Sequence, residues 1–349
     1  MATNKASKKK AAEPEKVVIP PCMVCKENKD VKILPCQHFI CHQCLNKMIT
    51  KAAASKRNNI PTCPTCKDAL KLTAAEYPIY EIIEGGIKLD QCQVVTAKWC
   101  YDVSPSSLGG LLVGRVAGFD IVSDEAEIIK SVSTGTEAVV SIQHYNDKIY
   151  TVSLSGNNHQ QVMEFDTSDY WETQRWSVSY VQHLSKLAVS NDKVYVTDPQ
   201  KQVLQVYNLT GEIIKYIKHQ TFENPVYFYL ITPGNVLISD CKPSNRLYKL
   251  NCSEDKVVWS CDIDQPVGIC CDRRGDIWVW SDKTRTLFVL CGETGKIKQE
   301  IRHEKFAEVA HFMGIHISEQ NVLWAAAYDK GLIKFNITYP EADGTVNGT

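Results

Sequence analysis

The hydrophobic pattern of the chain changes near residue 87. From there onward, short runs of β-branched and aromatic residues alternate with polar turn clusters, which predicts strands and no long amphipathic helix. Just before this point, apolar positions between 70 and 83 predict a short helical segment that ends at Gly85 and Gly86. The pattern therefore predicts a helical linker over 69–86 and an all-β domain after it.

Five segments of the second region share one pattern, in which a turn leads into a short apolar strand, a polar turn and a second strand. They are NDKIYTVS, NDKVYVTD, GNVLISD, GDIWVWSD and NVLWAAA, and their equivalent apolar positions recur every 41 to 45 residues; a fainter copy, GGLLVGRVAGFDIV, precedes them. Repeats of this length with about four strands are typical of β-propeller blades, which stack in a ring because one blade cannot bury both of its faces. Six copies predict an all-β six-bladed propeller over 87–340, with an open β-solenoid as the alternative.

The last repeat has little chain left for a complete blade. Its two central strands, in NVLWAAAYDKGLIKFNI, are followed almost directly by the polar segment YPEADGTVNGT. A closed ring must join its first and last blades, so we expect the last blade to take an outer strand from 87–95. Residues 1–16 and 341–349 are predicted to be disordered tails, the first of them basic.

Cysteine usage points to bound metal. Seven of the 15 cysteines lie between Cys22 and Cys66, in the pattern C-x2-C-x10-C-x-H-x2-C-x2-C-x18-C-x2-C. The N-terminus has no apolar secretory segment, so we expect a reducing compartment, in which clustered cysteines bind metal instead of forming disulfides. Eight closely paired ligand-type residues suit two structural zinc ions without open positions. The other eight cysteines are scattered, and we expect them to be buried thiols.

This spacing resembles that of the RING finger. The resemblance implies a small α+β zinc-stapled domain over 17–68, in which two zinc ions are cross-braced. Carried over to this sequence, the two ligand sets are Cys22, Cys25, Cys41 and Cys44 for one ion, and Cys36, His38, Cys63 and Cys66 for the other. Spacing alone leaves sequential pairing open, and we expect His42 to be exposed and not a ligand.

RING fingers of ubiquitin ligases bind a ubiquitin-conjugating enzyme through a shallow apolar groove beside the zinc loops. The resemblance assigns Val24, Leu45, Met48 and Pro64 to this groove, and packing of a small metal-stapled core is the alternative role of the same residues. After the last ligand, active ligases hold a cation that is often Arg. Here it is Lys67, which keeps the charge but lacks the planar multi-donor fork.

The propeller repeats resemble NHL repeats. Strands run into turns such as NLTGE and GETGK, and Asp198, Asp240 and Asp282 follow blade strands where that family often has an aspartate. A RING finger followed by NHL-like repeats, with no B-box or coiled coil between them, resembles the RING–NHL ubiquitin ligases. This implies a RING-type E3 ubiquitin-protein ligase that positions ubiquitin-charged conjugating enzyme, forms no covalent ubiquitin intermediate and recruits a protein substrate through its propeller.

The distribution of charge bears on other partners. Residues 1–86 carry 14 Lys and Arg against 8 Asp and Glu, a net +6, and residues 87–349 carry 25 against 32, a net −7. RNA binding by the propeller needs a basic surface, so this charge disfavours it, although Arg273, Arg274, Lys283 and Arg285 could share a face. A non-catalytic RING scaffold is the third candidate function. No apolar run approaches the roughly 18 residues of a membrane span, so we expect no membrane partner and a cytoplasmic protein that could also enter the nucleus.

Overall fold

The computed structural model describes most of the chain between residues 21 and 339. The described residues are 21–27, 31–33, 39–53, 61–65, 67, 87–95, 99–107, 109–156, 159–178, 185–232, 234–252, 254 and 256–339. The predicted tails at 1–16 and 341–349 and the predicted linker at 69–86 lie outside them.

The N-terminal region contains a small α+β unit. Its elements are β1 (Val31–Ile33), β2 (Phe39–Cys41) and α1 (His42–Ala53). The two strands pair antiparallel, and the helix follows β2 directly. Leu45 and Ile49 lie one helical turn apart and pack with Ile40 and buried cysteines. So few apolar side chains form a core too small to hold such a domain without further cross-links.

The second domain is built from antiparallel strands. In chain order they are β3 (Lys88–Val94), β4 (Cys100–Pro105), β5 (Leu111–Val122), β6 (Ile128–Tyr145), β7 (Lys148–Ser155), β8 (His159–Asp166), β9 (Glu172–Ser177), β10 (Leu187–Ser190), β11 (Lys193–Asp198), β12 (Val203–Asn208), β13 (Ile213–Lys218), β14 (Pro225–Thr232), β15 (Asn235–Asp240), β16 (Arg246–Asn251), β17 (Lys256–Asp262), β18 (Pro266–Cys271), β19 (Asp276–Ser281), β20 (Thr286–Cys291), β21 (Ile297–Ile301), β22 (Phe312–Ile317), β23 (Val322–Ala327) and β24 (Gly331–Thr338). A short 3-10 helix, Glu304–Glu308, precedes β22.

These strands form the blades of a β-propeller. Three blades use four consecutive strands each, namely β10–β13, β14–β17 and β18–β21. A fourth blade consists of β22, β23 and β24 with β3 as its outer strand, where Ile337 pairs with Leu89. The prediction that residues 87–95 close the ring is therefore confirmed.

The prediction of six blades is wrong, since the structure has five. The fifth blade is a six-stranded sheet, β4–β9, and its 18-residue strand β6 explains the difference. Ala138 of β6 pairs with Val116 of β5 on one side and with Leu154 of β7 on the other. The fainter first repeat and the repeat after it are thus joined by one continuous strand. This large blade contributes two strands to the centre, so β4, β6, β10, β14, β18 and β22 contact one another in a closed cycle.

Packing between blades accounts for the apolar pattern. Strand β19 is buried along its whole length, whereas the outer strand β17 alternates between exposed and half-buried positions. Tryptophans of two outer strands pack against turn glycines of the next blade. A Cβ on Gly211 would lie 2.7 Å from the Trp176 ring, and one on Gly295 would lie 2.5 Å from the Trp259 ring. The glycines in NLTGE and GETGK therefore allow neighbouring blades to meet closely.

The three aspartates that resemble NHL positions hold turns and neighbouring segments. The Asp198 carboxylate accepts a hydrogen bond from the Lys201 backbone N–H at 3.0 Å, and that of Asp240 accepts one from the Glu223 N–H at 3.0 Å. The carboxylate of Asp282 lies 2.6 Å from Nδ1 of His311. Each side chain is thus engaged within the propeller and shapes its loops.

Candidate metal centre and adjoining surface

Four cysteines from two segments meet in the N-terminal domain. Cys22 and Cys25 lie in the first loop, Cys41 ends β2, and Cys44 lies in the first turn of α1. Their Sγ atoms all lie within 4.8 Å of one another, and those of Cys25 and Cys41 are 3.7 Å apart. Four sulfurs at about 2.3 Å from a tetrahedral zinc ion would be about 3.8 Å apart, so the cluster fits zinc.

The local backbone favours thiolates at this site. The N–H of Val24 points at Cys22 Sγ at 3.4 Å, and the N–H of Cys44 points at Cys41 Sγ at 3.5 Å. Burial opposes ionisation of Cys22, but backbone hydrogen bonds outweigh it and lower the pKa of this thiol to about 6. Burial and the neighbouring thiols raise the pKa of Cys44. Four thiolates can therefore share this space only around a cation, and the cluster is a structural zinc site.

The second predicted ligand set is described only in part. Cys36, His38 and Cys66 lie outside the described residues, whereas Cys63 is buried in the core. The turn after Cys63 has the same geometry as the turn after Cys22. The N–H of Lys67 donates to Cys63 O at 2.9 Å, the N–H of Lys26 donates to Cys22 O at 2.8 Å, and both lysines have positive φ, 69° and 65°. A second zinc site on these ligands stays a prediction.

The residues assigned to the groove differ in exposure. The side chain of Val24 is 48% exposed, Met48 and Pro64 are half-buried, and Leu45 is fully buried. Leu45 therefore belongs to the core cluster, together with Ile40 and Ile49. Lys67 is exposed and donates from Nζ to Pro64 O at 2.7 Å. The ring of His42 lies 2.7 Å from the amide nitrogen of Asn46, and His42 is not part of the cysteine cluster.

Met23 is a site residue that the spacing did not reveal. Its Sδ accepts a hydrogen bond from Thr65 Oγ1 at 3.2 Å, which joins the loop of Cys22 to the loop of Cys63. The contact brings Val24 and Pro64 onto adjoining loops. A methionine between two ligands of a C-x2-C pair was the available signal, because a flexible apolar residue there can bridge to a second loop.

Three of the four basic residues considered for RNA binding have partners within the propeller. The guanidinium of Arg274 lies 3.8 Å from the centroid of the Tyr339 ring, and Lys283 pairs with Asp264 at 3.0 Å. Arg285 donates to the backbone carbonyl of Val309. These three basic side chains therefore make contacts within the propeller, and this does not favour a basic nucleic-acid surface.

The metal centre lies in a segment that matches a known family. Residues 22–66 match the family described as zinc finger, C3HC4 type (RING finger). The order of ligand types in that description, three cysteines, a histidine and four cysteines, is the order found in this sequence. The N-terminal domain is therefore a RING finger.

Solved structures resemble the second domain. They include the WD40 β-propeller domain of Doa1 (12% identity, 68% of this chain and 77% of that chain, TM-score 0.52), the streptogramin B lyase structure (13%, 72% and 98%, 0.52) and the mitotic checkpoint complex (13%, 69% and 77%, 0.51). At these identities the likeness concerns the fold, a β-propeller. No curated protein matches the chain in sequence. Among the described residues, no helix is both long and apolar enough to cross a membrane.

Proposed function

We propose that this protein is a RING-type ubiquitin-protein ligase whose NHL-like propeller recruits a protein substrate. The observation that carries the proposal is the exposed side chain of Val24, which lies between two zinc ligands and beside the loop of Pro64. Covering an exposed apolar side chain removes its surface from water, so Val24, held on a rigid metal loop beside the half-buried Pro64, suits a partner that covers it. RING fingers typically bind ubiquitin-conjugating enzymes, so that enzyme is the partner proposed.

The proposed docking surface consists of Val24, Pro64 and Met48, and Met48 packs against the core cluster that contains Leu45. Zinc fixes the loop of Val24, and the contact between Thr65 and Met23 fixes the adjoining loop. A surface whose backbone is already ordered loses little conformational entropy on binding. Rigid zinc loops are thus well suited to hold a partner in one orientation.

Lys67 lies at the edge of this surface. Its ammonium is bonded to the carbonyl of Pro64, on the same loop, and its side chain is exposed. We propose that it contacts the conjugating enzyme or its ubiquitin as a cation. Arginine at this position would add a planar fork with more donors, so Lys67→Arg should maintain or raise activity.

The proposed ligase acts by positioning and forms no covalent intermediate of its own. The conjugating enzyme supplies the ubiquitin thioester, and the attacking lysine belongs to the substrate. Holding the flexible ubiquitin in a reactive orientation lowers the entropic part of the barrier. A substrate held on the propeller meets the thioester at a raised effective concentration, because both are bound to one chain.

Autoubiquitination of the purified full chain with a panel of conjugating enzymes tests this proposal. We expect ubiquitin conjugates with at least one member of the panel, and loss of them in Cys25→Ser, which removes a ligand of the zinc site. Cys261→Ser, in the propeller, is the matched control and should leave activity unchanged. A chain that binds no conjugating enzyme and forms no conjugates would support the non-catalytic scaffold instead.

A further inference from the structure

The centre of the propeller holds a cavity of about 240 Å³. It is lined by the six central strands β4, β6, β10, β14, β18 and β22. All of these except β6 are edge strands of their sheets, so each pairs on one side only. Part of this free edge is already bonded, since the backbone N–H groups of Leu187 and Val189 in β10 donate to side chains of β6. The cavity is thus bordered by side chains and by backbone groups of which some already have partners.

One end of the cavity is occupied by a buried ion pair. Lys186 Nζ lies 3.0 Å from Asp102 Oδ1 and donates to the carbonyls of Tyr101 at 3.0 Å and Val140 at 3.1 Å. The other oxygen of Asp102 accepts from Ser141 Oγ at 2.8 Å and from a backbone N–H. The three N–H donors of Lys186 and both carboxylate oxygens of Asp102 therefore all have partners, and the pair has no net charge. A ligand finds no free counter-ion there.

Two further side chains meet at the same end. Lys186 lies 5.1 Å from the centroid of the Tyr227 ring, and the Tyr227 hydroxyl lies 3.8 Å from Met313 Sδ. Tyr227 belongs to β14 and Met313 to β22, and β18 lies between these two strands in the ring. Their contact thus joins the blade of β14 to the blade of β22 past β18.

The other end is more open. The first four residues of β14 are buried and its last four are half-buried, and β6 also becomes half-buried at its final residues. His316 of β22 lines the cavity here, and its ring has no hydrogen-bond partner among the described residues. Burial lowers its pKa to about 4, so the imidazole is neutral at physiological pH. The ring of His144 nearby is already engaged by the Ser107 N–H at 3.0 Å.

We propose that this cavity binds an uncharged carboxamide group, which enters where the central strands end and hydrogen-bonds to His316. A neutral imidazole offers one donor and one acceptor, and a carboxamide can meet either with its carbonyl oxygen or an N–H group. An ion would lose its hydration in a cavity whose own charges already cancel, so charged groups of the same shape are excluded. The volume is below the range of drug-sized sites and suits a group of side-chain size.

Acetamide, acetate and acetamidinium test the proposal, since they share one shape and differ in charge. Each is titrated into the full chain labelled at its histidine rings, and the NMR signal of His316 is identified by its loss in His316→Phe. We expect acetamide to shift this signal, and both ions to bind at least about tenfold more weakly. Equal or tighter binding of either ion, or no shift at saturating acetamide, would overturn the proposal.

Two variants locate the site. His316→Phe keeps a ring of similar size and removes both nitrogens, so acetamide should bind about fivefold more weakly or worse by ligand-observed NMR. His159→Phe replaces an exposed histidine of β8 and should bind as the unchanged chain does. Wild-type affinity in a folded His316→Phe would refute the assignment. If that variant does not fold, ligand-observed NMR of the three probes on the unchanged chain still gives their ranking, which decides.

A further arm identifies the source of the carboxamide. A tripeptide with a central glutamine is compared with free acetamide on the full chain. Binding of both supports a side chain of a partner protein, and binding of acetamide alone supports a small molecule. Binding of neither contradicts the proposal. These measurements do not depend on ligase activity, so they stand or fall separately from the proposed function.

Discussion

The two folded regions of this chain are stabilised in different ways. The RING finger has a small apolar core around Leu45 and depends on thiolates gathered at metal. The propeller buries large side chains such as Trp278, Trp280 and Trp324, and each blade is covered by its neighbours. The first region should therefore respond to metal and thiol chemistry, and the second to packing and ring closure. Metal removal, strand deletion, glycine substitution and acid each test this contrast.

Metal removal should separate the two regions most clearly. A strong chelator, or Cys41→Ser, should unfold the RING finger, because structural zinc in small domains contributes on the order of 10 kcal/mol. The propeller should keep its melting temperature. Metal analysis of the untreated chain should give two zinc ions, both bound within residues 22–66, and the chelator should remove both. Circular dichroism and NMR of the chelated chain check this, and a propeller that melts with the RING would refute the contrast.

Removal of the closing strand should have the converse effect. Without β3 (residues 88–94), β24 loses its outer partner and the propeller should melt at a lower temperature as one unit, with the RING finger intact. Leu89→Ala is the milder form and should cost about 2–5 kcal/mol, since Leu89 is buried. Lys88→Ala, at the exposed neighbour, should be close to neutral. An unchanged melt after the deletion would mean that the ring closes in another way.

A glycine pair tests packing between blades. Gly295→Ala would place a Cβ 2.5 Å from the Trp259 ring, at φ +70°, so we expect a loss of about 2–4 kcal/mol. Gly135→Ala has nearly the same φ, +68°, but its Cβ would meet nothing within 4 Å. It should cost only the strain of that backbone conformation, about 1 kcal/mol. Denaturant titrations of both variants measure the difference in unfolding free energy. Equal losses of stability would show that the contact with Trp259 does not account for the cost.

Acid should weaken the RING finger and should act on the propeller through two buried groups with opposite effects. His316, whose pKa is lowered, costs the folded propeller stability as pH falls from 6.5 towards 4, whereas Asp276 acts in the other direction. Protons compete with zinc for thiolates, so the RING finger should weaken as pH falls from 7 to 5. In the propeller, burial and the neighbouring Asp272 raise the pKa of Asp276 to about 6, above its unfolded value of 3.8. The folded state then binds the proton more tightly, so this group stabilises the propeller increasingly as pH falls through 6 towards 4. Between pH 7 and pH 5 the effect is on the order of 1 kcal/mol.

Asp276→Asn isolates that contribution. The difference in propeller stability between wild type and variant should change between pH 7 and pH 5, with the wild type gaining at the lower pH. Melting curves of the propeller at the two pH values provide the measurement. A difference that stays constant with pH would show that Asp276 does not titrate in this range.

The metal centre was more predictable than the propeller, for physical reasons. Zinc ligands come in chelating pairs, so the spacing indicated the pairs, and the resemblance to RING fingers assigned Cys22, Cys25, Cys41 and Cys44 to one ion, as the structure has them. The closing strand was also predictable, because a ring cannot end on an incomplete blade. The number of blades was not, since the turn pattern contains no sign that β6 continues through Ala138 from one repeat unit into the next.

The sequence alone also did not indicate which of several side chains are buried. Leu45 has the spacing of a groove residue, yet one helical turn from Ile49 it faces the core. Lys186 precedes an apolar strand, and its pairing with Asp102, 84 positions earlier, depends on two blades meeting at the axis. Contacts of this kind follow from the closed ring as a whole.

Discharge of ubiquitin from a charged conjugating enzyme to free lysine tests whether the chain is an active ligase that docks the enzyme through Val24. The full chain should accelerate this discharge. Val24→Arg should abolish the acceleration while the zinc content stays unchanged, because it places a charge in the proposed apolar docking surface. Full discharge activity in a zinc-loaded Val24→Arg chain would contradict the account.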